Sequence, residues 1–115
     1  MTVVLLSSDL MVVSRVEGAA ARLGTTVRIT STPSQAVDCG NADEAKVLIV
    51  DLSSPSLDIA ALVNQLKSKQ SAATRVVAFG PHVHEQRLAA ARDAGCDQVV
   101  SRGQFFAQLD TILGQ

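Results

Sequence analysis

Short apolar runs alternate along the chain with longer stretches in which apolar residues recur every three or four positions. The first pattern predicts buried strands and the second predicts amphipathic helices. The predicted strands are Thr2–Leu6, Thr26–Ile29, Val47–Val50 and Val76–Phe79, followed by a weaker fifth strand at Gln98–Val100. The chain therefore reads as a strand followed by a helix, repeated five times.

Capping residues mark the ends of several predicted helices. Thr32 and Pro33 open the second helix, as N-cap and first helical residue, and this helix should end near Gly40. Gly24 and Gly95 should end the first and fourth helices, the fourth covering about residues 84–94. The predicted apolar faces are Val12, Val16, Ala19, Ala20 and Leu23 in the first helix, Ile59, Leu62, Val63 and Leu66 in the third, and Phe105 or Phe106 with Leu109, Ile112 and Leu113 in the fifth.

Strands that are almost wholly apolar, in strict alternation with helices, predict a parallel sheet covered on both faces. A length of 115 residues is enough for one core, so we expect a single domain over residues 1–115. The expected fold is a flavodoxin-like α/β three-layer sandwich of five βα units, with strand order 2-1-3-4-5. Such sheets bind ligands beyond the carboxyl ends of their strands, between the first and third.

The amino-acid composition excludes several classes of function. Ten Lys and Arg stand against eleven Asp and Glu without a basic run, and the only aromatic residues are three Phe, so we expect no nucleic-acid binding. The sequence shows neither a signal peptide nor a long apolar span, which predicts a cytoplasmic protein without membrane association. Cys39 and Cys96 lack metal-binding spacing and are expected to be two buried thiols rather than a disulfide or a metal pair.

Asp51 is the strongest candidate for a functional residue. It closes the apolar run VLIV, and a charge at the end of a buried strand is costly unless it is paired or used. A structural role as a helix cap or as the ion-pair partner of Arg102 is the alternative. The other residues expected at this edge of the sheet are Ser7, Ser8, Asp9, 80–82 and 101–103.

Two segments resemble the receiver domains of two-component response regulators, and the likeness extends over essentially the whole chain. In VLIVDLSSPSLD, Asp51 stands where that family has its phosphoacceptor, and Pro55 has the usual four-residue offset. In ARDAGCDQVVSRGQF, the residues Ala91, Ala94 and Gly95 and the strand after them match the family pattern A-x-x-A-G-A-x-x-Y-L-x-K-P.

The resemblance also implies residues that this sequence lacks. The family's acidic pair corresponds to Ser7 and Ser8, which suit a hard Mg²⁺ ion poorly, so we expect weak or absent Mg²⁺ binding and no other cofactor. A shift of one residue would pair Ser8 with Asp9 and keep one acid, although Asp9 is also placed to cap the first helix.

The switch residues that the resemblance implies are also replaced. The family's hydroxyl residue, aromatic residue and lysine correspond to Gly80, Val99 and Arg102, and Gly103 replaces the proline that follows. Gly80 has no side chain to donate and Val99 has no polar tip, so neither can reproduce the family's switching motion. Arg102 keeps a positive charge and is expected to pair permanently with Asp51.

These departures favour a degenerate receiver, or pseudo-receiver, which is not an enzyme and signals by protein–protein interaction. The family's partner face, made by the fourth helix, fifth strand and fifth helix, would then bind a histidine kinase or a downstream protein, and would also allow a weak homodimer. Its residues in this sequence are Arg87, Ala90, Val99, Gln104, Phe105 and Gln108.

Two alternatives remain open at the level of sequence. In the first, a histidine kinase phosphorylates Asp51 with help from Asp9 and Arg102. In the second, a small molecule is sensed in the carboxyl-edge cleft, which the glycine at position 80 would enlarge. His82 and His84 lack a third ligand and are expected in a solvent-facing loop rather than a metal site.

Overall fold

The computed structural model describes residues 2–42, 45–67 and 74–114. Its five parallel strands form one sheet in the order β2-β1-β3-β4-β5, so the predicted flavodoxin-like fold and strand order are confirmed. Every strand end lies within one residue of its predicted position. The strands are β1 (Thr2–Leu6), β2 (Thr26–Thr30), β3 (Val47–Asp51), β4 (Arg75–Gly80) and β5 (Gln98–Ser101).

The helices follow the predicted pattern, except that Leu23, expected on the apolar face of the first helix, is 43% exposed and that the C-terminal end differs. The predicted fifth helix is two short helices, because Gln108 leaves the helical conformation at φ −105° and ψ 10°. The helices are α1 (Leu10–Leu23), α2 (Pro33–Ala42), α3 (Ile59–Lys67), α4 (Glu85–Asp93), α5 (Arg102–Ala107) and α6 (Leu109–Gly114). None of the helices in the described ranges is long and apolar enough to cross a bilayer.

The predicted helix ends are present in the structure. The Thr32 hydroxyl accepts a hydrogen bond of 3.2 Å from the backbone N–H of Gln35, as an N-cap residue does. Gly24 and Gly95 adopt φ values of 68° and 96°, in the region that glycine enters without a Cβ clash. Thr32 therefore starts α2 at the carboxyl edge of the sheet, whereas Gly24 and Gly95 end α1 and α4 at the opposite edge, just before β2 and β5.

Two apolar layers flank the sheet. Alternate residues of β1 enter opposite layers, with Val3 and Leu5 on one side and Val4 and Leu6 on the other. Helices α1, α5 and α6 cover the first side, while α2, α3 and α4 cover the second. This arrangement is the three-layer sandwich predicted from the sequence.

Phe105 is part of the core rather than of a partner face. Its side chain is fully buried, and its ring stacks on that of Phe79 with centroids 4.1 Å apart. The expectation that Phe105 contributes to a partner surface is therefore wrong, because α5 turns this residue toward the sheet. The neighbouring Phe106 is only partly buried, in agreement with the prediction that one of the two rings faces inward.

Cys39 and Cys96 are free thiols, both partly buried. Burial raises the pKa of Cys96 to about 11, which disfavours its reactive thiolate form at neutral pH. Neither thiol lies at the carboxyl edge of the sheet.

Candidate functional site

Asp51 is the last residue of β3 and is almost fully buried, at 4% exposure. Leu6 of β1 is paired with Val50 of β3, so Ser7 and Asp51 follow at the same level of the sheet. Since β1 and β3 flank the point where the chain switches direction across the sheet, the two side chains meet where ligands bind in this fold.

Both carboxylate oxygens of Asp51 accept a hydrogen bond. The hydroxyl of Ser7, itself 2% exposed, donates to Oδ2 at 2.8 Å, and the backbone N–H of Ser53 donates to Oδ1 at 3.0 Å. Ser7 Oγ in turn accepts a 3.2 Å hydrogen bond from the backbone N–H of Asp9. Ser7 thus joins the buried carboxylate to the start of α1, which satisfies a charge that would otherwise be costly to bury.

Arg102 pairs with Asp9 and not with Asp51. Its Nη2 atom lies 2.9 Å from Asp9 Oδ2, while Asp9 Oδ1 caps α1 by accepting from the backbone N–H groups of Met11 and Val12 at 2.9 and 3.4 Å. The predicted pair of Asp51 with Arg102 is therefore wrong, because Arg102, as the first residue of α5, reaches the start of α1. The predicted capping role of Asp9 is confirmed.

The electrostatics of Asp9 follow from these contacts. The hydrogen bond from Arg102 lowers the pKa of Asp9, and the backbone N–H groups of Met11 and Val12 lower it further. The carboxylate therefore stays ionised and engaged with its partners at neutral pH. The alternative alignment, shifted by one residue, would need a free Asp9 carboxylate beside Asp51. In the structure the Asp9 carboxylate is paired with Arg102.

Phe106 holds the guanidinium groups of two arginines over its ring. Arg15 lies 4.6 Å and Arg102 5.5 Å from the ring centroid, distances at which a cation is attracted to the face of an aromatic ring. Arg102 is thus held between a carboxylate and an aromatic ring, on the α1 and α5 side of the edge.

Gly80 packs against Leu52 and Leu88. A Cβ atom at position 80 would lie 3.4 Å from Leu52 Cβ, 3.7 Å from Leu52 Cδ1 and 3.9 Å from Leu88 Cδ2, all ordinary van der Waals contacts. The expectation that this glycine enlarges the carboxyl-edge cleft is wrong, since Gly80 does not line the cleft found beside the loop after β3. Val99, on the neighbouring strand, is partly buried and packs against the core under α2, α3 and α4.

The loop between β3 and α3 contains two features that sequence patterns did not predict. Ser54 is 8% exposed, and its hydroxyl has no hydrogen-bond partner within the part of the chain that the structure describes. Ser56 adopts a positive φ of 59°, which is uncommon for a residue with a side chain. An open cleft of about 420 Å³ lies between this loop and α4, and Arg87 and Ala90 form its α4 wall.

The oxygen donors at the edge fit a hydrated magnesium ion poorly. Mg²⁺ is usually held in proteins by one or two carboxylates with several waters, whereas Asp51 is hydrogen-bonded to Ser7 and the Asp9 carboxylate is paired with Arg102. Within residues 2–42, 45–67 and 74–114, no three His, Cys, Asp or Glu side chains are grouped to hold a metal ion. His82 and His84 are both exposed, and the His84 side chain does not cap α4.

No protein-family model matches this sequence, and no curated protein matches it either. Solved structures do match over nearly the whole chain. The receiver domain of a sensor histidine kinase from Pseudomonas aeruginosa PAO1, solved with a magnesium ion in its active-site cleft, is 17% identical with a TM-score of 0.83, covering 97% of this chain and 93% of that one.

Two further solved structures give the same result. A putative response regulator from Chloroflexus aurantiacus J-10-fl is 17% identical with a TM-score of 0.80, covering 99% of this chain and 98% of that one. A CheY-like protein, TadZ, from Pseudomonas aeruginosa PAO1 is 22% identical with a TM-score of 0.77, covering 99% and 97% of the two chains. This chain therefore has the fold of response-regulator receiver domains.

Proposed function

We propose that this chain is a cytoplasmic, receiver-like signalling module that acts by binding other proteins, without Mg²⁺-dependent phosphorylation of Asp51. The observation that carries the proposal is the hydrogen bond from the buried Ser7 hydroxyl to Asp51, at a position where the receiver pattern has an acid. A neutral donor thus occupies the place of a metal-binding carboxylate. The receiver fold supports the signalling part of the proposal.

Phosphoryl transfer to an aspartate needs positive charge around the transferred group. Metal ions and fixed cations neutralise the charge on its equatorial oxygens, and they must already be in place when the reaction occurs. Here the Asp51 oxygen Oδ2 is engaged by Ser7, and the only arginine that follows β5 is neutralised by Asp9. Within the described residues, Ser7 thus stands where a metal-binding acid would be needed and Arg102 is paired elsewhere, which supports the absence of phosphorylation at Asp51.

The positions that would transmit phosphorylation also support the proposal. Gly80 has no hydroxyl to move toward a phosphoryl group, and its nearest side chains, Leu52 and Leu88, are apolar. Val99 lacks the ring and polar tip of a switching aromatic residue. A module of this kind presents one constant surface, and its output depends on whether the partner is present.

The proposed partner surface consists of the accessible residues of α4, β5 and α5. Arg87 and Ala90 are exposed on α4, and Gln104 and Gln108 are exposed on α5. Gln98 of β5 donates a 3.1 Å hydrogen bond to the side chain of Gln108, which fixes the relative position of strand and helix. We propose that a protein, either a histidine kinase or a downstream signalling protein, binds there.

The test is exposure of the purified protein to Mg²⁺ and acetyl phosphate, followed by intact-mass measurement. We expect no mass gain for the unmodified chain. A phosphorylatable receiver domain incubated in the same tube is the control for the donor. A gain of one phosphoryl group that is absent in Asp51→Asn would overturn the proposal and establish a phosphoacceptor receiver instead.

A further inference from the structure

The cleft beside the loop that follows Asp51 has the dimensions of a ligand site. Its volume is about 420 Å³, and its walls are Leu52–Leu57, Ile59, Arg87 and Ala90. Pockets for small molecules span roughly 300–1,000 Å³ and combine apolar walls with a few polar groups. Leucine, proline, isoleucine and alanine side chains provide the apolar walls here, while serines and one arginine provide the polar groups.

Ser54 is a lining residue whose hydroxyl lacks a partner. The residue is more than nine-tenths buried, and its Oγ forms no hydrogen bond with any described residue. Buried hydroxyls are nearly always hydrogen-bonded, because their removal from water is otherwise uncompensated. The hydroxyl oxygen itself has less than 1 Å² of accessible surface, so it does not face the cleft, and the polar contact of a ligand falls to Arg87.

Arg87 is the charged residue of the lining, so it determines the sign of the ligand. It forms no ion pair with any carboxylate in the described ranges of the chain. The planar guanidinium presents two parallel N–H groups, a geometry that matches the two oxygens of a carboxylate. The apolar walls formed by Leu52, Leu57 and Ile59 suit a hydrocarbon body attached to that carboxylate.

We propose that this cleft binds a small monocarboxylate with an apolar body, its carboxylate on Arg87 and its hydrocarbon part against Leu52, Leu57 and Ile59. The cleft shares Arg87 and Ala90 with the surface proposed for a protein partner, but ligand binding there needs neither that partner nor phosphorylation of Asp51. A ligand there contacts both the loop that follows Asp51 and one side of α4. Binding would therefore connect this loop to the surface that we propose for a protein partner.

The test is a titration of the ¹⁵N-labelled protein with hexanoate, followed by amide chemical shifts. We expect saturable shifts confined to residues 52–59 and 86–91. Hexanol and hexylamine have the same hydrocarbon chain without the negative charge, and should bind at least about tenfold more weakly because they lack the charge-assisted hydrogen bonds to Arg87. Equal shifts with hexanol, or shifts spread over the whole chain, would overturn the proposal.

Variants separate binding from folding. Arg87→Gln should weaken hexanoate binding about tenfold, whereas Arg92→Gln, a matched change on the exposed side of α4 that does not line the cleft, should leave it unchanged. Ser54→Ala should leave hexanoate binding unchanged, because its hydroxyl is not accessible from the cleft. If Arg87→Gln and Arg92→Gln bind hexanoate equally, the proposed site is wrong.

Discussion

The hydrogen bond between Ser7 and Asp51 predicts the effect of a single-atom deletion. Ser7→Ala removes the hydroxyl that donates to Asp51 Oδ2 at 2.8 Å, and leaves the buried carboxylate with the Ser53 N–H as its remaining donor. At 2% and 4% exposure, neither Ser7 nor Asp51 can recover the lost bond from water without opening the edge of the sheet.

The magnitude follows from the type of bond. A hydrogen bond to a charged group contributes about 1.5–3 kcal/mol, so we expect Ser7→Ala to lower the free energy of unfolding by about 2 kcal/mol. For a domain of this size, that corresponds to a melting temperature lower by about 8 °C. The variant also loses the weaker contact in which Ser7 Oγ accepts from Asp9 N–H at 3.2 Å.

A double-mutant cycle with Asp51→Ala isolates the pair. The contact with the Asp9 backbone is lost in both backgrounds and cancels, so the coupling energy reports the Ser7–Asp51 bond alone. Urea unfolding should be followed by far-ultraviolet circular dichroism, because the chain contains no Trp or Tyr for fluorescence. Equal slopes against urea would show that all four proteins unfold in the same way.

Ser8→Ala is the matched control, since Ser8 is the exposed neighbour of Ser7. Its effect should stay within about 0.5 kcal/mol, as for most surface substitutions. If Ser7→Ala costs no more than Ser8→Ala, or costs the same with and without the Asp51 carboxylate, the bond does not have the role assigned to it.

Three further predictions concern residues near this edge. Ser54→Ala should raise the free energy of unfolding by about 1 kcal/mol in urea titrations, because it removes a buried hydroxyl without a partner; a loss of stability would contradict this. Gly80→Ala should leave it unchanged or raise it by up to about 1 kcal/mol, since the added Cβ would lie 3.4 Å from Leu52 Cβ, an ordinary van der Waals contact; a clear loss of stability would contradict this. Arg102 lowers the pKa of Asp9 in the folded protein below its usual 3.8. The ionised carboxylate therefore stabilises the fold above that pH, and this stabilisation is lost as the pH falls through the pKa of the folded state. The difference in melting temperature between the unmodified protein and Asp9→Asn should therefore be constant above about pH 5 and shrink below about pH 4; a difference that changes between neutral pH and pH 5 would exclude this cause.

The fold could be predicted because buried positions hold apolar residues, whose spacing along the sequence is characteristic of strands and helices. The residues of β3 are all buried, so the run VLIVD is apolar up to the point where Asp51 reaches the edge. The break at Gln108 could not be predicted, because Phe105, Leu109 and Ile112 keep helical spacing across it and face the same core. The spacing of apolar residues indicates which side of a helix is buried. Two short consecutive helices that are buried on the same side therefore show the same spacing as one longer helix.

The positions of the site residues could be predicted, but their partners could not. Strand ends placed Ser7 and Asp51 together, since parallel strands align their carboxyl ends at one edge. Arg102 pairs with Asp9 rather than with Asp51 because its side chain extends from α5 toward the start of α1, a direction that a sequence pattern does not show. The position of the cleft, which Leu52 lines and Gly80 does not, likewise depends on tertiary packing.

The central claim is that hydroxyl groups in place of acids leave Asp51 unable to hold magnesium and a phosphoryl group. The most direct measurement is a titration of the ¹⁵N-labelled protein with Mg²⁺ and beryllofluoride, a mimic of the phosphoryl group, with a phosphorylatable receiver domain as control. We predict that the amide signals of Asp51, Ser53 and Gly80 do not move while those of the control do. Saturable shifts at these three residues, absent in Asp51→Asn, would contradict the claim.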